Sequence, residues 1–245
     1  MVAIQKRKYN LPRPIFVLCI VASLLVPATA SADCVVLIHG LARTSGSMKP
    51  LVKPLQKAGF EVVNVNYPSR HKTVEELAPL AVRELGYKQC SPTANVHFVT
   101  HSLGGILVRY FLEHNDFLSL GRVVMIAPPN QGSQVVDKLR DVPGFYLING
   151  PAGMQLGTDK QSIPRQLGAV DFTLGVIAGT RTLNPLLSQL LPNPDDGKVS
   201  VENTRVEGMA DFIQLPYTHT FIMQADEVID QVIYFIGHAV FEASN

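Results

Sequence analysis

Short runs of almost unbroken apolar residues alternate along this chain with longer stretches of helical periodicity, and that alternation limits what it can fold into. The runs are CVVLIH (34–39), FEVVNVNY (60–67), NVHFVT (95–100), RVVMIA (122–127), TLGVIAGT (173–180) and DFIQLPY (211–217). Several are nearly continuous in Val and Ile, which suits parallel strands covered on both faces. Between them, residues 47–58, 73–85, 104–114 and 226–241 are amphipathic. The pattern predicts an α/β fold: a mostly parallel sheet of about six strands, right-handed crossovers and helices on both faces. Two stretches break the rhythm. Residues 131–170 are rich in Gly and Pro and show no clear period, and 181–197 holds one short apolar helix between prolines. Both begin at a strand's carboxyl end, where such sheets bind ligands, and insertions of this length in a compact domain are usually functional.

With 245 residues, 47% of them hydrophobic, the chain can build one sizeable core. Charge is unevenly distributed. Lys6, Arg7, Lys8 and Arg13 are the only charged residues before position 33, so the remainder carries 17 basic and 20 acidic side chains, a net −3. A weakly acidic body argues against nucleic acid as a partner. The basic start leads into the apolar run from Ile15 to Val26, then Pro27 and Ala30-Ser31-Ala32. This reads as a signal peptide over 1–32, cleaved before Asp33; an uncleaved anchor is the other reading, though the run is short of the roughly 20 residues a membrane span needs. A lipoprotein is excluded because Asp33 precedes Cys34 where a small residue is required. The expectation is an exported protein, periplasmic or extracellular, with a single domain over 33–245 that acts as a monomer. Cys19 leaves with the leader. Cys34 and Cys90 remain as an even pair in an oxidising compartment, either joined as a disulfide or buried as free thiols.

The stretch FVTHSLGGIL, Phe98 to Leu107, ends a strand at a serine and places Gly104 and Gly105 just behind it. Ser102 as a plain helix cap would need no such glycines. A serine on a tight strand-to-helix turn does need them, because side chains there collide with the adjoining strand and helix. Such a turn lifts the hydroxyl clear and aims the Leu103 N–H at the same space, near the positive end of a helix.

Together with VLIHGLARTSGSM after the first strand and APPNQGS at 127–133, this stretch resembles the α/β-hydrolase fold, in particular its small secreted bacterial lipases and esterases. The resemblance runs over nearly all of the chain from Cys34 onward. It implies a compact α/β-hydrolase, the two irregular stretches being cap- or lid-like insertions. It also implies that His39-Gly40 ends an early strand and that the N–H of Leu41 joins that of Leu103 in an oxyanion hole. One departure is Thr100, where the usual Gly-x-Ser-x-Gly elbow has its first glycine; a looser turn or a more widely spaced neighbouring strand is expected there.

Serine needs a base, and the base an orienting acid. In this fold the chain order is Ser, then Asp or Glu, then His. His219 follows the last strand and so falls in a loop at the edge of the sheet where Ser102 sits. His238 lies in a mostly apolar helical stretch and reads as a packed structural residue. For the acid, the family's Asp-Gly-x-Val pattern selects Asp196, and its 23-residue spacing to His219 resembles that of bacterial lipases. Asp195 reads as a solvated or capping neighbour, whereas Asp171 and Asp211 adjoin the starting ends of strands. His101 reads as packing. Arg43 and Ser45 line the mouth or are ordinary loop residues.

The implied chemistry is acyl transfer through an acyl-enzyme on Ser102, His219 and Asp196, with no cofactor. A metal is not expected: no ligand-spaced His or acid cluster is present, and TFIM after His219 lacks the Asp that binds calcium in some related lipases. Apolar residues near the mouth, Phe145, Tyr146, Leu147, Ile148 and the run Leu183 to Leu191, suit a lipid acyl chain. The substrate expected is therefore a carboxylic ester, most readily an acylglycerol, met in transient contact with a lipid interface. A short-chain esterase, a polyester depolymerase or an acyltransferase would use the same triad. A non-catalytic binding module would be expected to have lost a member of it.

Overall fold

The computed structural model describes Val2, residues 32–183 and residues 185–243. Apart from Val2 and Ala32, the segment read as a signal peptide lies outside the described residues.

The apolar runs form six strands: β1 (Cys34–Ile38), β2 (Glu61–Val65), β3 (Val96–His101), β4 (Leu120–Ile126), β5 (Leu174–Gly179) and β6 (Asp211–Leu215). They make one sheet in the order β2-β1-β3-β4-β5-β6 with every pairing parallel. The expected fold class is the observed one. Chain direction across the sheet reverses between β1 and β3, and a crevice opens beyond their carboxyl ends at that switch point.

Because side chains alternate along a strand, β1 feeds two cores at once. Cys34, Val36 and Ile38 face one layer, where they meet α2 (Val74–Ala78) and α3 (Leu103–His114) through Leu77, Ile106 and Phe111. Val35 and Leu37 face the other, packed with α1 (Lys49–Lys57) and α9 (Asp226–His238) through Leu51, Leu55, Val232 and Phe235. Each large side chain fully buried this way contributes about 1.5–3 kcal/mol. Local signals set the ends: Thr73 and Glu76 form a reciprocal capping box at the start of α2, which continues over Pro79–Glu84 as a wider π-helical turn.

Thr100 causes none of the loosening expected of it. Pairing is continuous through it, Ile38 on one side and Met125 on the other, and the only irregularity in β3 lies between Val96 and Phe98. The threonine is fully buried in a strand interior, where a β-branched side chain fits.

The stretch without a clear period holds three short helices, α4 (Gln134–Leu139), α5 (Phe145–Met154) and α6 (Ile163–Gln166). Its base is clasped by charge. Asp137 accepts from the Thr158 N–H at 2.9 Å and hydroxyl at 2.6 Å, and Arg140 bridges Asp137 and Asp159 at 2.6 Å each. Beyond the clasp, Tyr146, Leu147 and Ile148 are exposed. The second irregular stretch contains α7 (Pro185–Ser188), and α8 (Val201–Thr204) follows it.

Cys34 and Cys90 are disulfide-bonded, with Cα atoms 5.9 Å apart across a sequence separation of 56. The bond anchors the first residue of β1 to the segment that leads into β3. Replacing both cysteines with alanine is expected to cost about 2–4 kcal/mol, a fall in Tm of roughly 5–15 °C. Calorimetry of the two proteins checks this, and an unchanged Tm would show that the link constrains neither state.

Candidate active site

Ser102 sits between β3 and α3 with φ 52° and ψ −120°, a conformation that costs a non-glycine residue on the order of 1–3 kcal/mol. Tight packing around it holds that geometry. A Cβ on Gly104 would stand 2.5 Å from the Ile38 carbonyl oxygen, so α3 starts in direct contact with the end of β1. A Cβ on Gly40 would stand 2.8 Å from His101 Nδ1 and 3.1 Å from Ser102 Cβ. The loops after β1 and β3 are thus pressed together, and glycine is the residue that lets them touch.

His219, in the loop after β6, brings its Nε2 to 3.0 Å from Ser102 Oγ and its Nδ1 to 2.7 Å from Asp196 Oδ2. Its own N–H donates to the Asp196 carbonyl at 3.0 Å, so backbone and side chain are aligned by one residue. The other Asp196 oxygen accepts from the N–H groups of Lys198 at 3.0 Å and Val199 at 2.8 Å. A carboxylate only accepts, so Nδ1 carries the imidazole hydrogen and Nε2 turns its lone pair to the serine hydroxyl. All three side chains are buried.

Two further histidines shape the centre. His101 Nε2 donates to the His219 carbonyl at 2.9 Å, so beyond packing it fixes the backbone that carries the neighbouring imidazole. Complete burial, and then the His219 ring nearby, hold the His101 pKa well below its ordinary value. It is therefore neutral, and its Nδ1 is buried without a partner. His39 donates from Nδ1 to the Gly40 carbonyl at 2.9 Å and stacks on Tyr67 with ring centres 4.1 Å apart. The Tyr67 hydroxyl donates to the His39 carbonyl at 2.6 Å. Tyr67 thereby clamps the end of β1, a role the sequence did not signal because the contact spans 28 residues.

Leu41 lines the cavity beside Ser102, while the Leu103 side chain is buried in the core. Among the described residues the N–H groups of Leu41 and Leu103 have no acceptor, so both remain available to a ligand. The cavity, about 250 Å³, is walled mainly by apolar side chains including Val136, Leu139, Phe145, Ile148 and Leu156. Arg43 and Lys198 also line it; Ser45 does not, its N–H being bound to Asn66 Oδ1 and its carbonyl to Asn64. Among the described residues no group of three His, Cys, Asp or Glu is arranged to hold a metal.

Two expectations need correction. Asp195 is buried rather than solvated: it accepts from the Gly197 N–H at 2.7 Å and the Ser188 hydroxyl at 2.5 Å, tying α7 to the loop that carries Asp196. His238 is exposed in the last turn of α9, stacked on Tyr234 with ring centres 4.1 Å apart, because it falls on the helix face away from the sheet. Asp211 opens β6 and Asp171 precedes β5, both far from the crevice end of the sheet.

The Gly104 contact generates a direct test. Gly104→Ala is expected to lower the unfolding free energy by about 1–3 kcal/mol through overpacking against β1. Urea unfolding measures it, and wild-type stability in the variant would mean that α3 can retreat from the strand.

Residues 35–238 match the Alpha/beta hydrolase family. No curated protein matches the sequence. Similar solved structures include the mature form of the Bacillus licheniformis lipase BlEst2, at 20% identity and a TM-score of 0.65 over 87% of this chain and 94% of that one. The phospholipase PlaB from Legionella pneumophila is similar at 20% identity and a TM-score of 0.63, over 86% of this chain and 60% of that one. A monoacylglycerol lipase from Paleococcus ferrophilus follows at 18% identity and a TM-score of 0.56, over 85% of this chain and 96% of that one. At these identities the structural likeness speaks to the fold, and the sequence match speaks to the family. The chain belongs to the alpha/beta hydrolase family.

Proposed function

We propose that this protein is an exported serine hydrolase that cleaves carboxylic esters of lipid-like substrates. The observation that carries the reading is the continuous chain of hydrogen bonds from Asp196 through His219 to Ser102 at 2.7 and 3.0 Å. Ser102 Oγ attacks the ester carbonyl carbon as His219 Nε2 takes its proton, and Asp196 stabilises the imidazolium that results. The N–H groups of Leu41 and Leu103 receive the oxyanion, each contributing about 3 kcal/mol when preorganised. His219 then protonates the leaving alcohol, and water repeats the sequence on the acyl-enzyme.

The apolar wall of the cavity supports an aliphatic acyl chain, and the exposed Tyr146, Leu147 and Ile148, which follow the lining residue Phe145 along α5, support transient contact with a lipid interface. The Cys34–Cys90 disulfide supports an oxidising compartment and hence the reading of 1–32 as a cleaved leader. In this reading residues 33–245 act as one catalytic domain and as a monomer.

Hydrolysis of p-nitrophenyl esters from acetate to palmitate tests the proposal. Ser102→Ala is expected to lower kcat by about 10⁴-fold or more, and Asp196→Asn by a comparable factor, since it removes the acceptor that sets the His219 tautomer. An optimum at eight carbons or longer is the expected profile; a maximum at acetate would point to a short-chain esterase. Turnover that survives Ser102→Ala would overturn the mechanism.

A further inference from the structure

Arg43 and Lys198 reach the same cavity from opposite sequence positions, one in the loop after β1 and the other two residues beyond Asp196. Among the described residues no Asp or Glu side chain lines that cavity. Among the described residues neither cation has an ion-pair or side-chain hydrogen-bond partner, whereas Arg140 nearby is neutralised by Asp137 and Asp159. Asp196 is a carboxylate close to Lys198, and its oxygens are already committed to His219 and to the N–H groups of residues 198 and 199.

The two cations line one cavity, with nothing acidic among its described lining residues between them. Lys198 is exposed along part of its side chain, yet desolvation where it lines the pocket, and then repulsion by Arg43, lower its pKa. Both cations also disfavour protonation of His101, directly behind Ser102. Two like charges beside an apolar wall weaken a site meant for an uncharged ester, because Lys198 is desolvated there and repelled by Arg43, with only the smaller attraction of Asp196 to offset them. An anion between them reverses that balance.

We propose that the pocket selects esters whose alcohol part carries an anionic phosphate, as in a lysophospholipid, with Arg43 and Lys198 receiving the phosphate. The acyl chain then lies along Val136, Leu139, Phe145 and Ile148, and Ser102 meets the ester between the two regions. Cleavage by water yields a fatty acid and a glycerophosphate, with the phosphate group itself untouched. This rests on the ester-hydrolase reading for the reaction, and on the cavity alone for the binding.

Binding is therefore measured separately from turnover, on Ser102→Ala protein. Titration calorimetry compares 1-O-octyl-glycerol 3-phosphate with 1-O-octylglycerol, both below their aggregation concentrations. The phosphate is expected to bind about tenfold tighter or more, and that preference to vanish when Arg43→Gln and Lys198→Gln are added. Raising NaCl from about 20 to 500 mM is expected to erode the preference in the protein with both cations intact. Equal affinities, or a preference that survives the double substitution, would overturn the proposal. Inorganic phosphate alone is expected to bind far more weakly than the octyl phosphate, and equal binding would overturn the assignment to an amphiphile. Turnover of lysophosphatidate and monoacylglycerol by the wild type is the second arm. The kcat/KM ratio is expected to favour the phosphate, and to drop about tenfold in Arg43→Gln/Lys198→Gln. If neither is hydrolysed while the binding preference holds, the ester reading fails and the anion site stands.

Discussion

Helix α3 begins with Gly104 against the carbonyl of Ile38, and the arrangement of the whole crevice follows from that closeness. With any side chain at 104 the helix would have to withdraw from β1. The turn at Ser102 would then relax out of its strained conformation, and the Leu103 N–H would move away from the Leu41 N–H. Gly40 makes the reciprocal concession, leaving room for His101 and the Ser102 side chain. The sheet supplies the opportunity, since its direction changes between β1 and β3. The two glycines turn that change into a site by bringing the two loops to van der Waals distance.

Around this point the protein assigns neutral and charged groups by burial. His39 and His101 are depressed by burial and serve as fixed hydrogen-bond elements, one shaping the loop after β1 and the other holding the backbone of His219. The Arg109 guanidinium, buried between α3 and the loops around it, is held by four carbonyl-type oxygens from Asn130, Leu167 and Gly168, and desolvation lowers its pKa to about 10. Asn130 passes the linkage on to the Thr204 carbonyl. The helix behind the proposed nucleophile is thereby joined to the segment that follows the proposed acid, through groups that make no contact with the cavity.

Much of this was legible in the sequence. Each strand falls within one of the apolar runs; β1, covered on both faces, is unbroken, whereas the edge strands β2 and β6 admit Asn64 and Gln214. The serine turn showed itself through its glycines, and His219 through its place after the last strand. What escaped the sequence depends on distant packing. Nothing local to Tyr67 announces that its hydroxyl holds the His39 carbonyl, and His101 looks the same whether it packs or positions a loop. The Asp-Gly-x-Val pattern separated Asp196 from Asp195, but nothing local to Asp195 announces that it is buried and accepts from the Ser188 hydroxyl of α7. His238 sits in an apolar stretch, but the helical period turns it outward. Short helices α4 to α6 were hidden because their Gly and Pro residues blur any period, and tertiary contacts, not propensity, stabilise them.

The distance along the chain between the proposed nucleophile and its base has a consequence for biosynthesis. Ser102 and His219 are 117 residues apart, and His219 follows the edge strand β6, the last of the six in the chain. A ribosome releases the serine long before the imidazole that would activate it. Until β6 has docked on β5, the hydroxyl has no base and the acid has nothing to orient. Nascent and partly folded chains are thus inert by construction, and catalytic competence arrives only with the completion of the fold.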